Sequence, residues 1–136
     1  MTELKNKKNS YFYALGRRKT ATATIRLFAG KGISTVDDVD IKEKYISSSE
    51  LNTVLSPLTI IDKKSDFYFT AKVKGGGKTS QIGAIVLAMS RALVKADLEF
   101  KPVLKKAMFL MRDSRMVERK HTGHKKARKS EQYSKR

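Results

Sequence analysis

The sequence of 136 residues contains no cysteine, two prolines and two histidines. Without cysteine the chain has no disulfide framework, no thiolate nucleophile and no cysteine zinc site. Its most apolar uncharged segment, residues 79–90, is too short to span a bilayer. The first ten residues lack the apolar run of a secretory signal, so we expect the protein to stay in the compartment where it is made. These absences predict one globular domain with no membrane partner.

Positive charge, by contrast, is abundant. The chain has 30 Lys and Arg against 13 Asp and Glu, which gives a formal net charge of +17. Residues 1–20 carry +5, residues 21–118 carry +5 and residues 119–136 carry +7, and the middle segment holds nearly all the Val, Ile, Leu, Met and Phe. Such a charge repels itself unless a polyanion neutralises it, so the two basic ends predict a polyanionic partner. The alternative is that the ends serve only solubility.

The first half of the chain predicts strands followed by short helices. Apolar and polar residues alternate from Ala21 to Leu27, which is typical of a half-buried strand that Tyr11 and Tyr13 extend towards the N-terminus. After a glycine turn at 30–32, a short run at 33–35 predicts a return strand that pairs with this one as a hairpin. Two short helices are predicted within residues 40–56, and Pro57 marks their boundary.

The second half predicts a strand, two helices and a last strand. Residues 67–74 alternate between apolar and polar, and residues 79–96 repeat apolar side chains at three- and four-residue steps. Pro102 fits the first turn of another helix, and residues 109–111 predict a last short strand. The order of elements predicts an α+β fold, a two-layer α/β sandwich with helices on one face of a mostly antiparallel sheet.

The same patterns divide the chain into three parts. We expect a flexible basic N-terminal extension at residues 1–10, a globular α+β domain at 11–111 and an extended basic C-terminal tail at 112–136. Almost no aliphatic residue follows Arg119, so burial cannot offset the conformational entropy of ordering that segment.

The glycine run Gly75-Gly76-Gly77-Lys78 follows a predicted strand and precedes a predicted helix. It fails as a nucleotide-binding loop, because Lys72 stands where a Walker loop has its first glycine and Ser80 where the dinucleotide fingerprint has its third. Two interpretations remain, and they are compatible with each other. The loop, flanked by lysines, binds phosphate of a polyanion, or it is a turn that needs positive φ.

Other candidate sites are weak. His121 and His124 have no third ligand nearby in sequence to complete a metal shell, and the aspartates at 37, 38 and 40 resemble a solvated turn rather than a general acid/base pair. The aromatic residues at 11–13 and 67–69 can stack on nucleic-acid bases, or they belong to the core. We therefore expect no enzyme, no metal and no cofactor.

Two clusters of cations remain, and neither can be buried unpaired. One is Arg17-Arg18-Lys19, which follows Gly16 in a strand-like stretch. The other lies in the tail, where Lys and Arg side chains can neutralise backbone phosphates. Its members are Lys125, Lys126, Arg128 and Lys129.

Three motifs along the chain occur together. The first is Gly16-Arg17-Arg18-Lys19. The second is Gly75-Gly76-Gly77, Ser80-Gln81, Ala84, Ala88 and Ser90-Arg91-Ala92-Leu93. The third is Arg112-Asp113-Ser114-Arg115, Val117-Glu118-Arg119-Lys120, Gly123, Lys125-Lys126-Ala127-Arg128-Lys129, Gln132 and Ser134-Lys135-Arg136. In these motifs the chain resembles the S-nine family of small-subunit ribosomal proteins of bacterial or organellar type, over essentially the whole domain and tail.

The resemblance implies a structural protein with a fold like the second domain of ribosomal protein S-five. It implies docking on ribosomal RNA in the head of the small subunit, beside neighbouring ribosomal proteins, in a cytoplasmic rather than an organellar ribosome. It also implies that the tail reaches the anticodon stem-loop of the peptidyl-site tRNA. No small-molecule substrate is expected.

The residues that carry these expectations fall into two groups. The expected ribosomal RNA contacts are Arg17, Arg18, Lys19, Lys72, Lys74, Gly75, Gly76, Gly77, Lys78, Arg112, Arg115, Arg119, Lys120, Lys125, Lys126, Arg128 and Lys129. The expected tRNA contacts are Ser134, Lys135 and Arg136. The alternatives are a phosphate-transfer enzyme that uses the glycine loop, which lacks any partner motif, and a free nucleic-acid-compacting basic protein.

Overall fold

The structure is a computed structural model that describes residues 10–135. The predicted N-terminal extension therefore lies outside the described residues except for Ser10, which is exposed. The elements, in chain order, are β1 (Tyr11–Arg18), β2 (Ala21–Ala29), β3 (Thr35–Val36), β4 (Val39–Asp40), α1 (Ile41–Lys44), α2 (Ser48–Ile60), β5 (Phe67–Lys74), α3 (Lys78–Ala96) and α4 (Phe100–Lys106). The predicted α+β class is confirmed.

The five strands form one sheet in the order β1-β2-β5-β3-β4. Strands β1, β2 and β5 pair antiparallel over eight residues each, and β3 pairs antiparallel with β4 and parallel with β5. The sheet is thus mostly antiparallel, as predicted. Buried side chains recur at every second position, at Ala21, Ala23, Ile25 and Leu27 of β2 and at Phe69 and Ala71 of β5, which is the two-residue period that the sequence showed.

Two expectations for the N-terminal strands are wrong. Tyr11 and Tyr13 do not extend β2 but lie in a separate strand, β1, which a turn at Lys19 and Thr20 joins to β2. The run through Ile33 and Thr35 does not return along β2. Strand β5 occupies that edge of β2 with eight paired residues, far more hydrogen bonding than a two-residue strand offers there.

Pro57 does not end a helix, contrary to prediction, but lies buried inside α2. A proline has no N–H to donate to the carbonyl four residues earlier, which here belongs to Thr53. The hydroxyl of Ser56 donates to that carbonyl instead, at 2.7 Å. The helix therefore continues to Ile60 with the acceptor satisfied.

The strand predicted at residues 109–111 is also absent. Helix α4 ends in a turn in which Met108 adopts a φ of 62°. The backbone N–H of Met108 donates to Lys105 and that of Phe109 to Leu104, which is the Schellman pattern of a helix C-terminus. These bonds occupy the backbone groups that a strand would have used, while the Phe109 ring packs against the core.

Helix α3 covers the inner face of β1 and β2, and small side chains allow the two layers to approach closely. Ala84, Ala88 and Ala92 are fully buried in this layer, as the sequence predicted, opposite Ala23 and Ile25 of β2. The core is one contiguous cluster between sheet and helices. The opposite face of β1, β2 and β5 has no helix over it in the described part of the chain.

Residues 112–135 contain one isolated bridge, between His124 and Ser130, and no helix or strand. The division into domain and tail is not tested by these elements and stays a prediction.

Candidate nucleic-acid interface

Two motifs that lie 60 residues apart in the sequence meet at one end of the sheet. The turn between β1 and β2 lies against the glycine loop that joins β5 to α3. A Cβ added at Gly75 would lie 2.7 Å from the Thr20 carbonyl oxygen, and one at Gly76 would lie 2.8 Å from the Ala21 Cβ. Both glycines have positive φ, 72° and 67°. The interpretation of the loop as a turn that needs glycine is therefore confirmed, and phosphate binding stays a prediction.

The glycine of the first motif serves packing. A Cβ at Gly16 would overlap the Ala84 carbonyl oxygen and lie 2.6 Å from the Ala88 nitrogen, so α3 contacts β1 backbone to backbone. Gly83, which directly precedes Ala84 in α3, leaves room for the Arg18 side chain, which a Cβ there would overlap.

Arg18 connects the domain to the tail. Its guanidinium lies 3.4 Å from a carboxylate oxygen of Asp113, and the Arg115 side chain donates two hydrogen bonds of 3.0 Å to the same carboxylate. The side chain and backbone N–H of Arg115, with the charge of Arg18, hold the pKa of Asp113 well below its ordinary value. Two predicted RNA contacts, Arg18 and Arg115, therefore have an intramolecular partner here.

Four of the predicted cations lie on the outer face of the sheet, away from α3. The register places Arg17 of β1 in one cross-strand row with Lys74 of β5, and Lys72 in the next row. Lys19 follows in the adjoining turn with a φ of 51°. All four are exposed, and no ion pair forms on them within residues 10–135.

Lys78 differs from these four. It is the first residue of α3, and its ammonium group lies 2.7 Å from a carboxylate oxygen of Glu50 on α2. Half of its side chain stays exposed, so the pair is only partly shielded from solvent. The neighbouring Gly77 is the N-terminal cap residue of the helix and is exposed.

The tail folds back on itself in one place. Arg128 donates two hydrogen bonds to the Glu118 carboxylate, at 2.8 and 3.0 Å, and these bonds lower the pKa of Glu118. The N–H of Lys125 donates to the Lys129 carbonyl at 2.8 Å. The other predicted contacts of the tail are exposed and form no ion pair in the described segment: Arg112, Arg119, Lys120, Lys125, Lys126 and Lys129.

The predicted tRNA contacts lie at the end of the tail. Ser134 and Lys135 are exposed. Arg136 lies outside the described residues.

Sequence reasoning missed two cations that stabilise the sheet edge. Arg91 donates to the Leu15 carbonyl at 2.8 Å, and Lys95 donates to the Tyr13 carbonyl at 2.7 Å. Both side chains come from α3 and cover the outer edge of β1, an edge that would otherwise be free to pair with another strand. Their four-residue spacing, one helical turn, was visible in the sequence, but the strand they reach was not.

Asp37 and Asp38 lie exposed in a turn, as the sequence predicted, and Asp37 and Asp40 also accept hydrogen bonds from neighbouring elements. Asp37 accepts from the Val73 N–H at 2.8 Å and from Lys44, and Asp40 caps α1 by accepting from the Lys42 N–H. Partial burial pushes the pKa of Asp37 upwards, but these hydrogen bonds and nearby lysine charges outweigh it, so the pKa lies below its ordinary value.

No catalytic or metal-binding constellation is found within residues 10–135. His121 and His124 pack edge to face with ring centroids 5.5 Å apart, and no group of three potential metal ligands forms in this part of the chain. None of the helices in the described part is long and apolar enough to cross a membrane.

Known proteins resemble this chain in sequence over most of its length. The profile of the family described as ribosomal protein S9/S16 matches residues 16–136. The small ribosomal subunit protein uS9 of Dehalococcoides mccartyi is 44% identical over 129 residues, which cover 95% of this chain and 98% of that protein. The protein of the same name from Chlorobaculum tepidum is 45% identical over 122 residues, 90% of this chain and 95% of that protein. The chain therefore belongs to the ribosomal protein S9/S16 family, as its motifs predicted, and it is a ribosomal protein rather than an enzyme.

Proposed function

We propose that this chain is a structural constituent of the small subunit of the cytoplasmic ribosome and binds ribosomal RNA in the subunit head. The interface consists of the cation end, which we define as Arg17, Lys19, Lys72, Lys74 and the glycine loop, together with the basic residues of the tail. Ribosomal RNA and neighbouring head proteins are its partners, and it has no catalytic step of its own.

The convergence of the two motifs carries this proposal. The turn at Lys19 and the loop at Gly75 and Gly76 touch, so cations from β1 and β5 form one surface although they are distant in sequence. That surface adjoins a depression of about 370 Å³ lined by Lys19, Arg115 and Val117, where the tail begins. Arg18 and Asp113 also line this depression, so the cation end of the domain meets the start of the tail there.

Such a surface recognises the shape and backbone of RNA rather than its base sequence. Lysine and arginine contacts to phosphates fix position and orientation, and they carry little sequence information. In A-form RNA the narrow major groove is closed to side chains, which leaves phosphates and 2′-hydroxyls as the accessible groups. We therefore assign the cation end a positioning role on folded RNA.

The end of the tail has a separate role in this proposal. Ser134, Lys135 and Arg136 contact phosphates of the peptidyl-site tRNA. The 24 residues from 112 to 135 can span about 80 Å if fully extended, so the terminal cations can act far from the domain.

Equilibrium binding to protein-free RNA of the small-subunit head tests the cation end. We expect the triple variant Arg17→Gln, Lys19→Gln, Lys74→Gln to reduce the slope of log affinity against log salt by about 2–3, because each lost phosphate contact removes about 0.7–0.9 from that slope. The matched control is Lys31→Gln, Lys64→Gln, Lys101→Gln. It removes the same charge at the opposite end of the sheet, where the wild-type slope is expected. Equal slopes for the two triple variants would reject the cation end as the binding surface.

Deletion of residues 134–136 tests the tail tip. Ser134 and Lys135 are exposed, so we expect unchanged incorporation into small subunits and faster dissociation of peptidyl-site tRNA. Sedimentation measures incorporation, and a filter-binding time course measures dissociation. A variant with Lys31→Gln and Lys64→Gln, which keeps the tip and removes two charges outside the proposed interface, serves as the control. Unchanged tRNA dissociation after the deletion would contradict the role of the tip.

A further inference from the structure

The outer face of the sheet combines cations with aromatic rings. Successive rows across β1, β2 and β5 place Tyr11, Phe28 and Tyr68 together, then Tyr13, Arg26 and Thr70. The inner face of the same strands is the core, where Phe12 and Phe69 pack against the helices. The strand period thus separates the aromatic residues into core and outer-face groups, so the two interpretations from the sequence apply to different residues.

The first row is already occupied by its own rings. Phe28 stacks on Tyr68 with centroids 5.0 Å apart and planes 12° apart, and Tyr11 leans on Phe28 at 5.7 Å. The other side of Tyr68 is covered by Gly32, where an added Cβ would lie 2.7 Å from the ring. Arg26 lies 5.3 Å above the Tyr11 ring. Each of these rings therefore already has a ring or a cation as a partner, although Tyr11 is 47% exposed.

Tyr13 is different. It is 48% exposed, and its ring stacks on no other ring and no cation among residues 10–135. It borders an open depression of about 180 Å³ that Arg26 and Lys72 also line. The backbone beneath it is fixed, because its carbonyl accepts the hydrogen bond from Lys95. Tyr13 is thus an exposed aromatic ring on a rigid strand, with cations beside it.

The charge of this surface indicates the kind of ligand that it binds. Arg17, Arg26, Lys72 and Lys74 all lie on the outer face, while Asp38 is the acidic residue that lines the depression. The depression is smaller than the roughly 300–1,000 Å³ of pockets that enclose whole small molecules. It suits one flat group of a larger polyanion. Aromatic side chains beside cations provide stacking for bases and neutralisation for phosphates in single-stranded nucleic acid.

We propose that the outer face binds an unpaired nucleotide of RNA, whose base stacks on Tyr13 while its flanking phosphates contact Arg26 and Lys72. The site extends the cation end along the sheet and rests on the proposed binding of ribosomal RNA. It adds a stacking contact to an interface that is otherwise electrostatic.

Binding of the full chain to protein-free RNA of the subunit head tests this site. We expect Tyr13→Ala to raise Kd by roughly 5- to 150-fold, the range that loss of one base–aromatic stack gives, with the salt slope unchanged. Tyr13→Phe keeps the ring and should bind within about twofold of wild type. The control is Leu98→Ala, an exposed apolar residue beyond the end of α3. Ultraviolet cross-linking of the wild-type complex should attach a nucleotide to Tyr13.

The possible results separate this site from the proposed function. If Tyr13→Ala binds as wild type does while the Arg17, Lys19, Lys74 triple variant is weakened, the stacking site is wrong and RNA binding by the cation end stands. If neither Tyr13→Ala nor the triple variant changes RNA binding, both proposals fail. If Tyr13→Ala binds RNA normally but enters subunits poorly in the presence of the other head proteins, the face binds a protein and the proposal is overturned.

Discussion

The folded domain and the C-terminal segment use their cations differently. In the domain, Arg91 and Lys95 donate to backbone carbonyls of β1, so two charges stabilise the edge of the sheet. In the segment after residue 111, Arg128 pairs only with the exposed Glu118. Ion pairs between exposed side chains contribute little to stability, so such cations can exchange a carboxylate for a phosphate at little cost. The Arg91 and Lys95 side chains therefore contribute to the stability of the domain, and we expect the Arg128 side chain to contribute little to it.

Burial explains the difference. The domain encloses one core cluster, whereas the large apolar side chains of the segment, Met116, Val117 and Tyr133, are all exposed. Without burial, hydrogen bonds and ion pairs alone do not offset the ordering of a chain. Substitutions of matched residues, one in each region, measure this contrast.

The largest difference in stability effect between the two regions is expected for substitutions of two glycines. Gly16→Val forces a branched side chain into the backbone of α3 at Ala84 and Ala88, so we expect a loss of at least about 3 kcal/mol and a melting temperature lowered by more than about 12 °C. Gly123→Ala meets nothing within 4 Å and strains only its own φ of 77° in the tail. Thermal unfolding followed by circular dichroism should show the wild-type transition for it. Similar melting temperatures for both variants would refute the close packing at Gly16.

Two tyrosines give the next contrast. Tyr45 is 2% exposed, and its hydroxyl has no hydrogen-bond partner among the described residues. Burial, with the nearby charges of Asp37 and Glu50, raises its pKa to about 12. Above pH 10 the unfolded chain loses this proton first, so stability falls by about 2–3 kcal/mol between pH 10 and 12. Denaturant titrations across that range measure the decline.

Tyr45→Phe should remove that part of the alkaline decline and be neutral or stabilising at pH 7, since the lost hydroxyl leaves no partner behind. Tyr133→Phe, at an 88% exposed position in the tail, should leave the decline unchanged. An identical alkaline decline in wild type and Tyr45→Phe would show that this hydroxyl ionises freely in the folded protein.

The smallest contrast concerns two arginines. Arg91→Met keeps the apolar stem and removes the hydrogen bond to Leu15, so we expect a loss of about 1 kcal/mol, or 4–8 °C in melting temperature. Arg128→Met removes the pair with Glu118 and should leave the domain melting transition unchanged. Calorimetry on the two variants checks both values. Equal shifts would mean that the tail pair stabilises the domain as much as the sheet edge does.

The fold was largely predictable where periodicity is long. Strand β5 and helix α3 carry eight and nineteen residues of regular pattern, and both appear within one residue of the predicted limits. The wrong predictions concern short segments whose backbone hydrogen-bond partners could not be read from the sequence. Pro57 stays in a helix because Ser56 satisfies the carbonyl that proline leaves free, and residues 109–111 form a helix-ending turn rather than a strand.

The candidate site was predictable in residue type but not in arrangement. The sequence identified Arg17, Arg18 and Lys19 as cations that cannot be buried unpaired, yet it could not show that Arg18 pairs with Asp113 while Arg17 stays exposed on the outer face. Neighbouring strand residues point to opposite faces, and only the register decides which face is the core.

The sequence by itself determined the family, the α+β class and the excess of positive charge at the ends, because motifs, periodicity and charge are properties of local sequence. The tertiary structure decided which charged side chains have an intramolecular partner and which are left to contact another molecule. Contacts such as Arg91 to Leu15, Lys78 to Glu50 and Arg18 to Asp113 join residues that are distant in the chain. The same folding brings Thr20 beside Gly75 and leaves Tyr13 exposed on the outer face. Packing of α3 against β1 covers one face of the sheet and leaves the opposite face without a helix in the described part of the chain.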